Sequence, residues 1–299
     1  MIEIKNITKS FGSVKSLDDV TFSVPDGSVF GLIGSNGSGK STLMRVVAGT
    51  YKEDCGEILV DNGRVWENPA MKEKVVYLSD EQFFVQYCTM SDMARLYASV
   101  YPAFDKRRFI ELAIMFGLDT SRKVNSFSKG MQKQISVILG LSSGAKYLLC
   151  DETFDGLDPV MRQLVKRLFA EAIAEKNMTI MIASHNLREL EDICDHVALL
   201  HKGKLLFEHE LDDMKLNIFK IQAVFGDGVD PKSVEGLDVI SSERLGSVYT
   251  MIVRGTQDEI TGKLSQLSPS LLEFIPLTLE EIFITEMEDR GYDSSKIIF

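Results

Sequence analysis

The chain has 299 residues, 44% hydrophobic and 26% charged, enough for one large core or for a medium domain with a smaller companion. Its formal net charge of −11 argues against sequence-independent binding to nucleic acid or acidic lipid, which needs clustered Lys and Arg. No apolar run reaches the roughly 18 residues of a membrane span, no signal peptide opens the chain, and Cys55, Cys88, Cys150 and Cys194 lie far apart, so the expectation is a reduced, cytoplasmic protein without a zinc site.

Residues 1–6 alternate apolar and charged side chains, and residues 17–24 form a second such run before the turn Pro25-Asp26-Gly27; both read as strands. Between them, Phe11 is either core or an exposed ring. Residues 29–33 are a short apolar run, the pattern of a buried parallel strand. Next comes Gly34-Ser35-Asn36-Gly37-Ser38-Gly39-Lys40-Ser41, which fits G-x-x-x-x-G-K-[ST]. Residues 42–48 then read as a helix, with Gly49 at its C-terminal cap. Strand, glycine loop and helix together make a phosphate site. Backbone N–H groups converge on the anion, and the helix N-terminus adds its positive end. Gly34, Gly37 and Gly39 permit the close wrap. Lys40 reaches the β- and γ-phosphates, and the Ser41 hydroxyl ligates Mg²⁺.

Residues 57–60 and 75–78 are further strands, the second running into Ser79-Asp80-Glu81-Gln82-Phe83-Phe84. From about residue 91 to 118 the period becomes helical. Met93, Leu96, Tyr97 and Val100 recur at helix spacing, as do Phe109, Leu112, Ala113 and Phe116 beyond Pro102. This is a helical insert within an α/β chain. Residues 126–130 precede another helical run over 131–141. The strand at 147–150 ends in Asp151-Glu152, a carboxylate pair at the C-terminal edge of the sheet, facing the phosphate loop. A helix runs from Pro159 to about Lys176, and the strand at 179–183 ends in Ser184-His185. Residues 186–194 read as helix, and 196–200 with 204–207 as a hairpin turned at Lys202-Gly203. Beyond Glu210 the composition changes. Strands are expected at 219–225, 239–244 and 247–253, and helices at 258–267 and 279–288, the latter with Ile282, Phe283 and Met287 on one side. The expected domains are 1–210, with a helical subdomain at about 85–145, and 211–299, joined by a short linker near Lys215.

In this order the motifs resemble the nucleotide-binding subunit of an ATP-binding cassette (ABC) transporter of the bacterial export type, over about residues 1–210. The resemblance implies a P-loop NTPase fold: a mixed α/β sheet core, a helical subdomain and a small C-terminal α/β appendix. It implies ATP and Mg²⁺ as ligands and ATP hydrolysis as the reaction. Phe11 stands where the family stacks an aromatic ring on adenine. Residues 34–42, Thr42 included, hold the phosphates. Asp151 matches the acidic residue that holds Mg²⁺, Glu152 the base for the attacking water, and His185 the histidine that contacts the γ-phosphate. Gly156-Leu157-Asp158 matches the D-loop, which meets the opposite subunit.

Two positions depart from the family pattern. Its signature is usually Leu-Ser-Gly-Gly-Gln, and this chain has Phe127-Ser128-Lys129-Gly130-Met131. Ser128 and Gly130 keep a hydroxyl and an N–H at a helix N-terminus, the groups that grip a γ-phosphate. The family's Q-loop usually reads Pro-Gln after the strand, where this chain has Ser79-Asp80. Either Asp80 ligates Mg²⁺ directly, or Gln82 does so through a shifted loop; register favours Asp80. Phe83, Phe84 and Tyr87 either receive a partner helix or form the insert's own core. The implied partners are an integral membrane permease on a separate chain and a second nucleotide-binding subunit, identical or not; nucleic acid is not among them. That places the subunit on the inner face of the cell membrane. The alternatives are a non-transport ABC ATPase and a nucleotide-binding regulatory module without turnover.

Overall fold

The computed structural model describes residues 1–211, 218–226, 231, 234–275 and 277–289. Two sheets build its first unit, which spans residues 1–208, and a third builds the unit that begins at His209. β1 (Ile2–Phe11) and β2 (Val14–Val24) form an antiparallel hairpin, flanked by β4 (Cys55–Val60) and β5 (Gly63–Arg64) in the order β2-β1-β4-β5. β1 runs five residues past the predicted end because register shifts after Ile4 and Ile7 carry it on to Phe11.

The second sheet has the order β10-β9-β3-β8-β7-β6. Its strands are β3 (Val29–Ile33), β6 (Val75–Leu78), β7 (Tyr147–Asp151), β8 (Thr179–Ser184), β9 (His196–His201) and β10 (Lys204–Glu210). All residues of β3, β7 and β8 are buried, as expected of parallel strands covered on both faces. Pairing is parallel from β6 through β7, β8 and β3 to β9. Asp151 pairs with Ala183 and Ile33 with Ser184, so β3, β7 and β8 end side by side. The segments that follow them, at 34–39, 152 and 185, therefore leave one edge of the sheet together.

α1 (Lys40–Val47) lies in the core between the sheets. Its Leu43, Met44, Val46 and Val47 share a buried cluster with Ile2 and Ile4 of β1 and Phe30 and Leu32 of β3. Each such side chain contributes ~1.5–3 kcal/mol on burial, so the helix behind the phosphate loop is firmly held. α1 starts two residues before the predicted Thr42. Its first turn has no apolar residue to mark it, and the periodicity begins only at Leu43.

The helical insert comprises α3 (Met90–Val100), α4 (Lys106–Met115) and α5 (Lys129–Ser142), after the short α2 (Pro69–Lys72). Met93, Phe109, Leu112, Ala113 and Phe116 are buried as their spacing suggested, whereas Leu96 and Val100 face solvent. Phe83 and Tyr87 are 84% and 70% exposed, which rules them out of the insert's own core. α6 (Pro159–Lys176) is capped by Asp158, and α7 is shorter than predicted, Leu187–Glu191, with Asn186 as its cap.

The second unit is an antiparallel sheet ordered β12-β13-β11-β14, from β11 (Ile218–Val224), β12 (Asp238–Leu245), β13 (Val248–Arg254) and β14 (Leu271–Ile275). α8 (Gln257–Ser265) seals one face, its Ile260 and Leu264 clustering with Ile221, Ala223, Met251 and Val253. α9 (Leu279–Asp289) buries Ile282 and Phe283. The side chain of Met287 and the linker near Lys215 lie outside the described residues. β14 has no counterpart in the predicted elements: it is a five-residue edge strand between Pro269 and Pro276, paired among the described residues to β11 alone.

Candidate active site

The loop between β3 and α1 is shaped by its glycines. Gly39, at φ +110, is the N-cap of α1, and a Cβ there would stand 2.6 Å from the carbonyl oxygen of Ser16. Glycine is the residue that tolerates both. No side chain caps α1, so its first-turn N–H groups remain directed at the loop. Uncapped donors at a helix start, ringed by glycine backbone, are a cradle for an anion.

Lys40 is 5% exposed and bends back over this cradle. Its Nζ donates to the carbonyl oxygens of Gly34, at 2.6 Å, and Ser35, at 3.3 Å, and stands 3.6 Å from Oε1 of Glu152. Burial pulls its pKa down, and the carboxylate of Glu152 opposes that shift. The Ser41 hydroxyl donates to Asp151 Oδ1 at 3.1 Å, and Thr42 Oγ1 lies 2.8 Å from Ser16 Oγ. Asp151 is 1% exposed and accepts a second bond from the Tyr77 hydroxyl at 2.8 Å. Burial, with the Asp151 charge behind it, pushes the Tyr77 hydroxyl up to about 12, so it stays a donor through the physiological range. Ser41 and Asp151 thus present hard oxygen atoms side by side, the donor chemistry Mg²⁺ takes.

Glu152 sits in the left-handed region, at φ +48, just beyond β7. Its N–H donates to the carbonyl oxygen of Ala183 in β8 at 3.0 Å. Its Oε2 lies 2.9 Å from Nδ1 of His185, and Asp155 brings a third candidate ligand within 4.8 Å of both. Glu152 therefore faces Lys40 with one oxygen and His185 with the other. Behind His185, the Ser184 hydroxyl donates to Glu189, which is 4% exposed and pairs with Arg162 of α6 at 3.4 Å. Burial raises the pKa of Glu189.

The other predicted residues lie on two flanks. Phe11 is 44% exposed, with its ring edge-on to Tyr51 at 5.4 Å, so it is an open ring and not core. Ser128 caps α5, accepting from the N–H of Met131 at 3.3 Å. A Cβ on Gly130 would stand 2.9 Å from the carbonyl oxygen of Gly156, so α5 abuts the D-loop through a glycine. These segments and residues 80–82 border a cleft of about 650 Å³. Of the two candidates for a further Mg²⁺ ligand, Asp80 pairs with Lys133 at 3.0 Å, and Gln82 is hydrogen-bonded to Ser136 and to the Ser79 carbonyl.

Sequence reasoning passed over Tyr77, Lys133, Glu189 and Arg162. Tyr77 had a usable signal, a polar tip on a buried strand one step from the edge that carries Asp151. Lys133 and Arg162 act across long separations, which local patterns do not encode.

Residues 17–155 match the family model described as ABC transporter. The ABC transporter ATP-binding protein YtrB of Bacillus subtilis is 29% identical over 286 residues, 96% of this chain and 98% of that protein. The bacitracin transport ATP-binding protein BcrA of Bacillus licheniformis is 31% identical over 218 residues, 72% of this chain and 71% of that protein. A solved ATP-binding subunit of an ABC transporter superposes with a TM-score of 0.68 at 28% identity, covering 72% of this chain and 92% of its own.

Proposed function

The chain belongs to the ABC transporter family as an ATP-binding subunit that hydrolyses ATP, and on that footing we propose how its residues divide the work and what it serves. The observation that carries the assignment is the convergence at one sheet edge of an uncapped helix start, Lys40, the Ser41–Asp151 pair and the Glu152–His185 pair. Backbone N–H groups of residues 34–42 bind the phosphates of ATP, and Lys40 turns from its carbonyl partners to the β- and γ-oxygens. Phe11 offers its open ring to the adenine. Ser41 and Asp151 would hold Mg²⁺, which would neutralise charge on the phosphate oxygens. Glu152 orients the attacking water and takes its proton. His185 holds Glu152 in position and contacts the γ-phosphate. Phosphoryl transfer needs positioning and charge neutralisation above all, and these groups supply both.

Ser128 and Gly130 complete the site of a second nucleotide-binding subunit set head to tail with this one, so two sites form together. No helix among the described residues is long and apolar enough to cross a membrane. The pore is taken to come from a permease chain that works with this subunit. That chain docks where Phe83 and Tyr87 stand exposed and holds the subunit at the inner face of the membrane. The similarity to a bacitracin transport protein supports transport as the process served, and export is the direction proposed for it.

The test is phosphate release by the Glu152→Gln protein. The amide keeps the shape and removes the base, so turnover should fall by about a hundredfold or more with ATP still bound. Near-normal turnover would remove Glu152 from this role.

A further inference from the structure

Glu152 must aim its carboxylate while its own backbone occupies an unfavourable region. A non-glycine residue at positive φ is disfavoured, so its surroundings have to hold it there. The N–H side is fixed by Ala183 of β8. The carbonyl side is fixed from another part of the fold: Lys133 Nζ, on α5, donates to the Glu152 carbonyl oxygen at 2.8 Å. The same ammonium pairs with Asp80 Oδ1 at 3.0 Å. Lys133 is 12% exposed and its bond to the Glu152 carbonyl is partly buried, while the bond to Asp80 is open to solvent; Asp80 is 55% exposed and lies on the segment that leaves β6 for the helical insert. One turn along α5, Ser136 donates to the side-chain oxygen of Gln82. Two rungs therefore fasten residues 80–82 to α5, and the first of them extends to the backbone of Glu152.

We propose that Lys133 is a positioning residue for hydrolysis, forming with Asp80 a latch that fixes the Glu152 backbone and ties it to the segment entering the helical insert. Lys133 carries three donors and no acceptor, so it serves the carbonyl and the carboxylate at once. A shift of α5 against the sheet moves the ammonium and loosens the left-handed residue that it steadies. The orientation of the insert thereby reaches the catalytic carboxylate through one side chain. Asp80 acts here as the anchor of that lysine, not as a ligand of Mg²⁺. The proposal rests on the reading of Glu152 given above.

The experiment compares ATP turnover by Lys133→Met, Lys133→Arg, Asp80→Ala and the Asp80→Ala/Lys133→Met double variant, each as a function of ATP and of Mg²⁺. Lys133→Met should lower kcat about tenfold while KM for ATP stays within about threefold, because the loss falls on aim and not on binding. Lys133→Arg should recover most of kcat. Asp80→Ala should lower kcat by a smaller factor, and the double variant should be no worse than Lys133→Met, since the two act through one latch. The Mg²⁺ requirement should not move in any of them. Turnover in Lys133→Met within twofold of wild type overturns the proposal, as does multiplicative loss in the double variant. A raised Mg²⁺ requirement confined to Asp80→Ala overturns it in favour of Asp80 as a ligand. Should Lys133→Met fail to fold, Asp80→Ala and Lys133→Arg decide the same points. Glu152→Gln in the same assay separates the two readings. Turnover surviving there removes the role of Glu152 and the latch with it; turnover lost there but kept in Lys133→Met removes the latch alone.

Discussion

Two helices in the first unit begin in different ways. α1 starts at Gly39 with no side-chain cap and with Lys40 folded over its first turn. α5 starts at Ser128, whose hydroxyl already accepts from the Met131 N–H. One helix leaves its donors for something outside the chain, and the other satisfies one of its own. The difference teaches a division of labour. A phosphate that meets α1 gains N–H groups with no competing partner, so binding belongs to this chain by itself. A phosphate that meets α5 finds one first-turn N–H already taken by the Ser128 oxygen, while the Ser128 O–H and the Gly130 N–H can still donate, so α5 offers fewer open donors than α1 and adds its contacts to those made elsewhere. The α1 side is read as the binding half of the site, and the α5 side as the half that closes over the nucleotide of a second subunit.

Three substitutions press on that comparison. The largest effect is expected from Lys40→Ala. Removing the buried cation takes away charge-assisted bonds worth ~1.5–3 kcal/mol, so ATP affinity should weaken by about ten- to a hundredfold in equilibrium binding. Affinity unchanged within twofold would deny α1 its part. Ser128→Arg should do the opposite: affinity measured on the isolated subunit stays near wild type, while turnover drops about tenfold, because a bulky cation obstructs the facing nucleotide. Weakened binding in dilute protein would mean that α5 serves its own chain's phosphate. The smallest effect belongs to Tyr77→Phe. Asp151 loses one of its two side-chain donors, which should lower the thermal midpoint by an amount corresponding to ~1 kcal/mol. An unshifted midpoint would show that Tyr77 does not support the binding half.

The binding half was largely legible in the sequence because it is local. Residues 34–41 carry their chemistry within eight consecutive positions, and Asp151-Glu152 follows directly on a buried apolar run. Parallel pairing then brings them together, a consequence of β7, β8 and β3 being neighbours, which apolar runs suggest but do not order. Phe11 was ambiguous for a physical reason. A single ring at the end of a strand gives no period, and only its hairpin position, one residue before Gly12, exposes it. The latch through Lys133 was not legible: Asp80, Lys133 and Glu152 are each at least 19 residues apart, and a lysine on a helix ordinarily reads as a solvated charge. In the second unit, β14 is a short edge strand between prolines whose exposed residues, Leu271 and Glu273, break the apolar alternation a strand reading depends on.

The central claim is that the two halves meet only across a pair of subunits, with ATP as the link. Glu152→Gln traps that state by keeping ATP intact, so sedimentation velocity of this variant is the direct measurement. Contacts made only in the closed pair should shift the population when ATP and Mg²⁺ are present. The account predicts a monomer without nucleotide and a dimer with it. A monomer under both conditions, at concentrations where the wild-type chain hydrolyses ATP, would contradict it.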